Sequence, residues 1–103
     1  MGQLAVAAGE VMTQPAVTMY TTRYCPYCIR ARQLLDSKGV AYEDLSVDAN
    51  PELRQTMMAA SGQRTVPQIW VGKTHVGGFD DLYMLERQGE LDALLHSAST
   101  IQR

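Results

Sequence analysis

The sequence predicts an α/β domain built on a mixed four-stranded sheet flanked by helices. Three observations carry this expectation. Residues 17–47 read as a strand–helix–strand unit of about 30 residues, a connection that requires parallel pairing through a right-handed crossover. Two short segments that read as strands, 67–71 and 74–76, are separated only by Gly72-Lys73, which suits a tight antiparallel hairpin. The chain has 103 residues, 46% hydrophobic and 19% charged, enough for one buried core and not for two.

The elements follow in order. Val17-Thr18-Met19-Tyr20 reads as a short buried strand. Pro26 suits the first position of a helix that runs on to about residue 38, with Gly39 as its stop. Cys28, Ala31, Leu34 and Leu35 recur at spacings of three and four and form its inward stripe. Residues 40–47 read as a second strand. Asn50 is a good N-cap for the next helix, with Pro51 at its first position and Glu52 in the first turn. That helix should reach about residue 60, with Leu53, Met57 and Met58 as its apolar contacts, before Ser61-Gly62 ends it. After the hairpin, Gly77-Gly78 breaks the chain, a helix covers about 79–88 up to Gly89, and a short helix covers 90–96. The domain is expected over residues 16–97, with 1–15 a disordered extension and 98–103 a tail.

Composition narrows the function classes. The formal net charge is −2, so bulk electrostatics do not point to nucleic acid. No apolar stretch approaches the roughly 20 residues that a membrane span needs. No Lys or Arg precedes Arg23, so a secretory signal is not expected. The chain has two cysteines, too few for a secreted disulfide scaffold; a reversible dithiol in a reducing compartment, the cytoplasm, fits better.

Those cysteines sit together in Cys25-Pro26-Tyr27-Cys28, directly after the first strand. Two thiols so spaced can close into a disulfide, and they can also hold a metal. The surroundings favour redox chemistry. Cys25 falls at a helix N-terminus, where unpaired N–H groups and the positive end of the dipole stabilise an anion, and the thiolate is the nucleophile. Cys28, one turn in, is expected to be shielded and protonated. The site lies at the carboxyl end of the first strand, where open α/β sheets place ligands.

Three stretches together carry a resemblance: Tyr20-Thr21-Thr22-Arg23-Tyr24-Cys25-Pro26-Tyr27-Cys28, Thr65-Val66-Pro67-Gln68-Ile69, and His75-Val76-Gly77-Gly78-Phe79-Asp80-Asp81-Leu82. A CxxC alone is weak, but CPYC, TVP and GGxDD in this order resemble the dithiol glutaredoxins of the bacterial small type, over roughly residues 17–95. The resemblance implies a thioredoxin fold and a glutathione-dependent thiol–disulfide oxidoreductase acting through a Cys25–Cys28 redox disulfide. It implies a cis Val66–Pro67 bond that presents the Val66 backbone to an extended peptide; local sequence alone reads Pro67 as an edge-strand proline.

It also implies that Gly78, Phe79, Asp80 and Asp81 hold the γ-glutamyl end of glutathione. Free N–H groups at a helix start can take its carboxylate and an Asp its ammonium, although an Asp there also caps the helix. Tyr27 resembles the family's cleft tyrosine, and Thr65, Val66 and Pro67 supply the neighbouring wall. Many relatives carry a Lys three residues before the first cysteine, whereas this chain has Thr22. Arg23 is the expected substitute for binding the glycine carboxylate, with Gln63 and Arg64 across the cleft.

By the same resemblance the partners are glutathione, disulfide-containing and glutathionylated proteins, and indirectly glutathione reductase with NADPH. No metal, nucleic acid or membrane is expected, and the chain is expected to be a monomer. Arg30 and Arg32 read as a solvated helix face. Trp70 with Ile69 and Val71 reads as packing, and the six methionines as gap filling. His75 and His96 are 21 residues apart, too far for a Cys₂His₂ zinc site of the usual spacing. The alternatives are a glutathione-ligated [2Fe–2S] cluster carrier, against which Pro26 argues, and a thioredoxin-like general disulfide reductase, against which Tyr27 and GGxDD argue.

Overall fold

The computed structural model describes residues 16–101. The elements run β1 (Val17–Thr21), α1 (Pro26–Ser37), β2 (Tyr42–Ser46), α2 (Pro51–Ser61), β3 (Gln68–Val71), β4 (Thr74–Gly77), α3 (Phe79–Arg87) and α4 (Leu91–Ile101). The extension expected at 1–15 lies outside the described residues. The strands form one mixed sheet in the order β2-β1-β3-β4. β1 pairs in parallel with β2, Val17 opposite Tyr42 and Thr21 opposite Ser46. It pairs antiparallel with β3 on its other side, Val17 opposite Val71 and Tyr20 opposite Gln68. The hairpin forms between β3 and β4, with Gly72 at φ +60, a left-handed turn position that favours glycine.

Alternation along β1 builds the core. Val17, Met19 and Thr21 are buried while Thr18 and Tyr20 are half-buried on the opposite face, where Tyr20 meets Trp70 edge to face at 5.5 Å. Val17 and Met19 join Ile69 and Val71 of β3, Ala31 and Leu35 of α1, Leu82 of α3, and Leu91, Leu95 and Ala98 of α4 in one cluster. Three helices therefore share one side of the sheet. Met57 of α2 and Val47 are buried outside that cluster.

Most boundaries match the expected ones within a residue or two. α2 starts as its sequence dictates: Asn50 Oδ1 accepts the Leu53 N–H at 3.1 Å and Pro51 occupies the first turn. The last helix is longer than expected, because Leu91, Leu95 and Ala98 continue one apolar stripe at spacings of four and three. Ala98 closes against the β3–β4 turn: a Cβ placed on Gly72 would stand 3.4 Å from the Ala98 Cβ. Lys38, just past α1, ties the layer together by pairing with Glu86 of α3 at 2.6 Å and Asp92 of α4 at 3.0 Å.

Leu35 is fully buried where α1 enters this layer. Leu35→Ala should cost about 2–5 kcal/mol of unfolding free energy, read as a lower urea midpoint with an unchanged slope. A loss below about 1 kcal/mol would show that α1 is not a structural member of the core.

Candidate active site

β1 ends at Thr21 and α1 begins at Pro26, and the loop between them is held to β2 by its backbone. The Val47 N–H donates to the Thr21 carbonyl at 2.8 Å, and the Arg23 N–H donates to Asp48 Oδ2 at 2.6 Å. Cys25 follows in extended conformation (φ −115, ψ 110) as the N-cap of α1. Its sulfur takes the place that a Ser or Asp oxygen usually fills: Cys25 Sγ accepts the Cys28 N–H at 3.1 Å. One otherwise unpaired donor of the helix start thus points at the Cys25 sulfur. Both cysteines are thiols. Cys25 is 8% exposed and Cys28 is 0% exposed.

Burial, and then the Cys25 sulfur beside it, push the Cys28 thiol up to about 12. A backbone hydrogen bond from Thr22 and the Arg32 cation pull in the opposite direction. Cys28 is therefore a protonated reserve thiol at neutral pH. Cys25 keeps a small exposed surface, its S–H directed to the Val66 carbonyl at 3.8 Å.

That contact places the sulfur at the rim of a cleft of about 420 Å³. The Val66–Pro67 peptide bond is cis. Tyr27, Gln63, Thr65, Val66, Pro67, Gly78, Phe79, Asp80 and Asp81 all line this cleft, so the structure brings together the predicted site residues around the CxxC except Arg23 and Arg64; the Arg64 carbonyl instead accepts from Arg54 Nη1 at 3.0 Å. Arg23 lines a second depression with Thr21, Thr22, Arg32, Asp44 and Ser46, and its guanidinium lies over the Tyr24 ring at 5.9 Å. The bond to Asp48, 25 residues away, fixes the Arg23 backbone on the β2 side of the loop.

The far end of the cleft is the start of α3. Gly78 is its N-cap and has no side chain to offer the first-turn N–H groups. Asp81 Oδ2 accepts the Gly78 N–H at 3.0 Å and is committed to the turn, whereas Asp80 has no hydrogen-bond or ion-pair partner among the described residues. Gly77 has φ +117, and a Cβ on it would collide with the Asp81 carboxylate, so only glycine fits there. Tyr27, Phe79 and Tyr83 make a half-exposed aromatic ladder beside the cleft, with centroid separations of 6.4 and 5.7 Å.

Gln68, His75, Val76 and Gly77 also line the cleft, although sequence reasoning assigned none of them to it. Gln68 is buried at 3% exposure and fully engaged. Its amide donates to the Thr65 carbonyl at 3.1 Å and Thr65 Oγ1 at 3.3 Å, and its Oε1 lies 2.8 Å from His75 Nε2. It braces the Thr65–Pro67 wall from beneath. The available signal was a polar amide inside an apolar strand, which needs a buried partner to be tolerated.

Comparison with known proteins agrees with this geometry. The glutaredoxin family model matches residues 17–76. The chain is 59% identical over 81 residues to a glutaredoxin of Pseudomonas aeruginosa, covering 79% of this chain and 96% of that protein. It is 51% identical over 79 residues to glutaredoxin 3 of Escherichia coli, covering 77% and 95%. Among solved structures, a buckwheat glutaredoxin–glutathione complex superposes with a TM-score of 0.77 at 27% identity, covering 90% of this chain and 87% of that one. A reduced-thiol pair at the head of α1, a thioredoxin fold and these relatives lead to one conclusion: the chain belongs to the glutaredoxin family of thiol–disulfide oxidoreductases.

Proposed function

We propose that this glutaredoxin uses glutathione as its reductant and acts on protein–glutathione mixed disulfides and protein disulfides through Cys25 and Cys28. The observation that carries the reading is the position of Cys25 Sγ at the rim of a cleft whose two ends differ in chemistry. The near wall offers the backbone of Val66 to an extended peptide. The far end offers uncapped N–H groups at the start of α3 for a carboxylate and the unpartnered Asp80 for an ammonium. The γ-glutamyl end of glutathione carries both groups on one carbon. Tyr27 and Phe79 flank the path between the ends.

In the proposed reaction the Cys25 thiolate attacks the glutathionyl sulfur of a mixed disulfide, and the protein thiolate leaves. A second glutathione thiolate then attacks the glutathionyl sulfur held on Cys25, releasing Cys25 and oxidised glutathione. For a protein disulfide, Cys25 first forms a mixed disulfide with one client sulfur. Cys28 then loses its proton and attacks Cys25 Sγ, the Cys25–Cys28 bond forms, and the second client thiolate leaves. Two glutathiones return the pair to thiols.

Glutathione reductase and NADPH recycle the oxidised glutathione. The chain is read as a cytoplasmic monomer, which suits a dithiol kept reduced; among the described residues no helix is long and apolar enough to cross a membrane. The glycine carboxylate of glutathione falls near Gln63. Arg23 serves it only if its side chain turns away from Tyr24.

Two measurements test the reading. With glutathione, glutathione reductase and NADPH, Cys25→Ser should abolish turnover of both substrate classes, while Cys28→Ser should keep deglutathionylation and lose protein-disulfide reduction. Equal loss of both activities in Cys28→Ser would contradict the division of labour. Asp80→Asn should raise KM for a glutathionylated peptide about three- to tenfold with kcat within twofold, the size expected for a charged hydrogen bond at an exposed site. An unchanged KM would remove the γ-glutamyl site from this end of the cleft.

A further inference from the structure

The resolving step assigned to Cys28 poses a physical problem. The thiol is wholly buried and must become an anion before it can attack. Desolvation opposes that ionisation, so something beneath the active site has to meet the charge. The second depression, on the β2 side of the loop, contains the group that can do so.

Arg32 lies one turn beyond Cys28 on α1, a spacing that puts two side chains on the same helix face. Its side chain is only 27% exposed and its direction is fixed: Arg32 Nε donates to Asp44 Oδ2 at 2.6 Å. Asp44 is itself pinned, since Thr21 Oγ1 donates to Asp44 Oδ1 at 2.6 Å. Thr21 is the buried last residue of β1, so the carboxylate is anchored to the strand that carries the active-site loop. An arginine has five N–H donors in a rigid fork, and Asp44 takes only the one on Nε among the described residues. The guanidinium therefore keeps donors and charge for a second anion.

We propose that Arg32, oriented by Asp44 and Thr21, is a positioning residue for the resolving half-reaction, offsetting the negative charge on Cys28 Sγ as it displaces the client sulfur from Cys25. The proposal rests on the assignment of Cys28 as resolving thiol made above. In the step itself the Cys28 proton goes to solvent or to the departing client thiolate. The Cys28–Cys25 bond forms as the Cys25–client bond breaks, and the electron pair leaves with the client sulfur.

The electrostatic coupling between these groups runs both ways: the Arg32 cation favours the Cys28 anion, and Cys28 favours the Arg32 cation. The groups that bear on the pair come from each neighbouring element. Cys25 acts on Cys28 from the head of α1, Asp44 and Tyr42 act on Arg32 from β2, and Asp36 of α1 bonds Tyr42. Once Cys25 is in a mixed disulfide its own contribution to holding the Cys28 proton disappears. Burial then remains against the Thr22 backbone and Arg32.

Rapid mixing with dithiobis(nitrobenzoate), an aromatic disulfide, separates the two half-reactions. The first thionitrobenzoate is released when Cys25 attacks, at a rate proportional to reagent concentration. The second is released when Cys28 resolves, at a rate independent of it. Arg32→Gln should slow the second phase about two- to threefold at neutral pH and move its alkaline limb up by a few tenths of a pH unit, less than a directly paired opposite charge would give. The sign follows because losing a cation makes the thiol harder to ionise. Arg32→Lys, which keeps the charge, should recover most of the second phase.

A second phase with the wild-type rate and pH limb in Arg32→Gln would overturn the proposal, as would equal slowing of both phases, which marks a general structural effect. Cys28→Ser is the reference: a second phase persisting there would overturn the resolving role of Cys28 and the Arg32 proposal together.

Discussion

The N–H groups at the start of α1 need acceptors, and this chain supplies one of them from sulfur. Cys25 Sγ takes the Cys28 N–H at 3.1 Å, so the helix cap is the same atom that is proposed as the nucleophile. For that to work the sulfur must sit where an N-cap oxygen would, and much of the neighbouring structure serves that placement. Pro26 starts the helix without an N–H to satisfy. Asp48 and Val47 tie the preceding loop to β2, and the Ala31–Leu35 stripe seats the helix against β1 and β3. Shifting α1 by a residue would uncap the helix and withdraw the thiol from the cleft.

The same helix makes its two cysteines unlike. Cys25 is at the rim, against the Val66 carbonyl, and Cys28 is one turn deeper with no exposed surface. A donor beside one sulfur and desolvation around the other give the two thiols the different environments that the proposed division of labour needs. The two depressions on either side of the loop divide the chemistry similarly. The cleft beside Cys25 has backbone donors and, in Asp80, a carboxylate without a partner among the described residues, the features on which the proposed glutathione site rests. The depression toward β2 has the Arg32–Asp44–Thr21 chain, with Arg32 one helical turn beyond the buried Cys28.

Much of this was legible in the sequence because it is local. Asn50-Pro51, Pro26 and Gly72-Lys73 each act through a backbone preference that needs no distant partner, and the elements they start or turn are where they were expected. The cleft residues at 65–67 and 78–81 were legible only through family resemblance, since nothing in a TVP or GGxDD segment by itself says that the two face one another. What escaped depends on residues far apart in the chain. Arg32 reads as one more exposed cation until Asp44, 12 residues on, fixes it. Gln68 gains its role from Thr65 and from His75 across the hairpin. Arg23 stands next to Thr22, which occupies the place of the family's lysine, yet its backbone bond to Asp48, 25 residues away, holds it on the other side.

The most direct test of the account is the structure of Cys28→Ser trapped as a Cys25–glutathione mixed disulfide. The account predicts glutathione lying along the Val66 backbone, its γ-glutamyl carboxylate on the first N–H groups of α3 and its ammonium at Asp80. A tripeptide lying instead over Arg23 and Arg32 on the β2 side of the loop would contradict it.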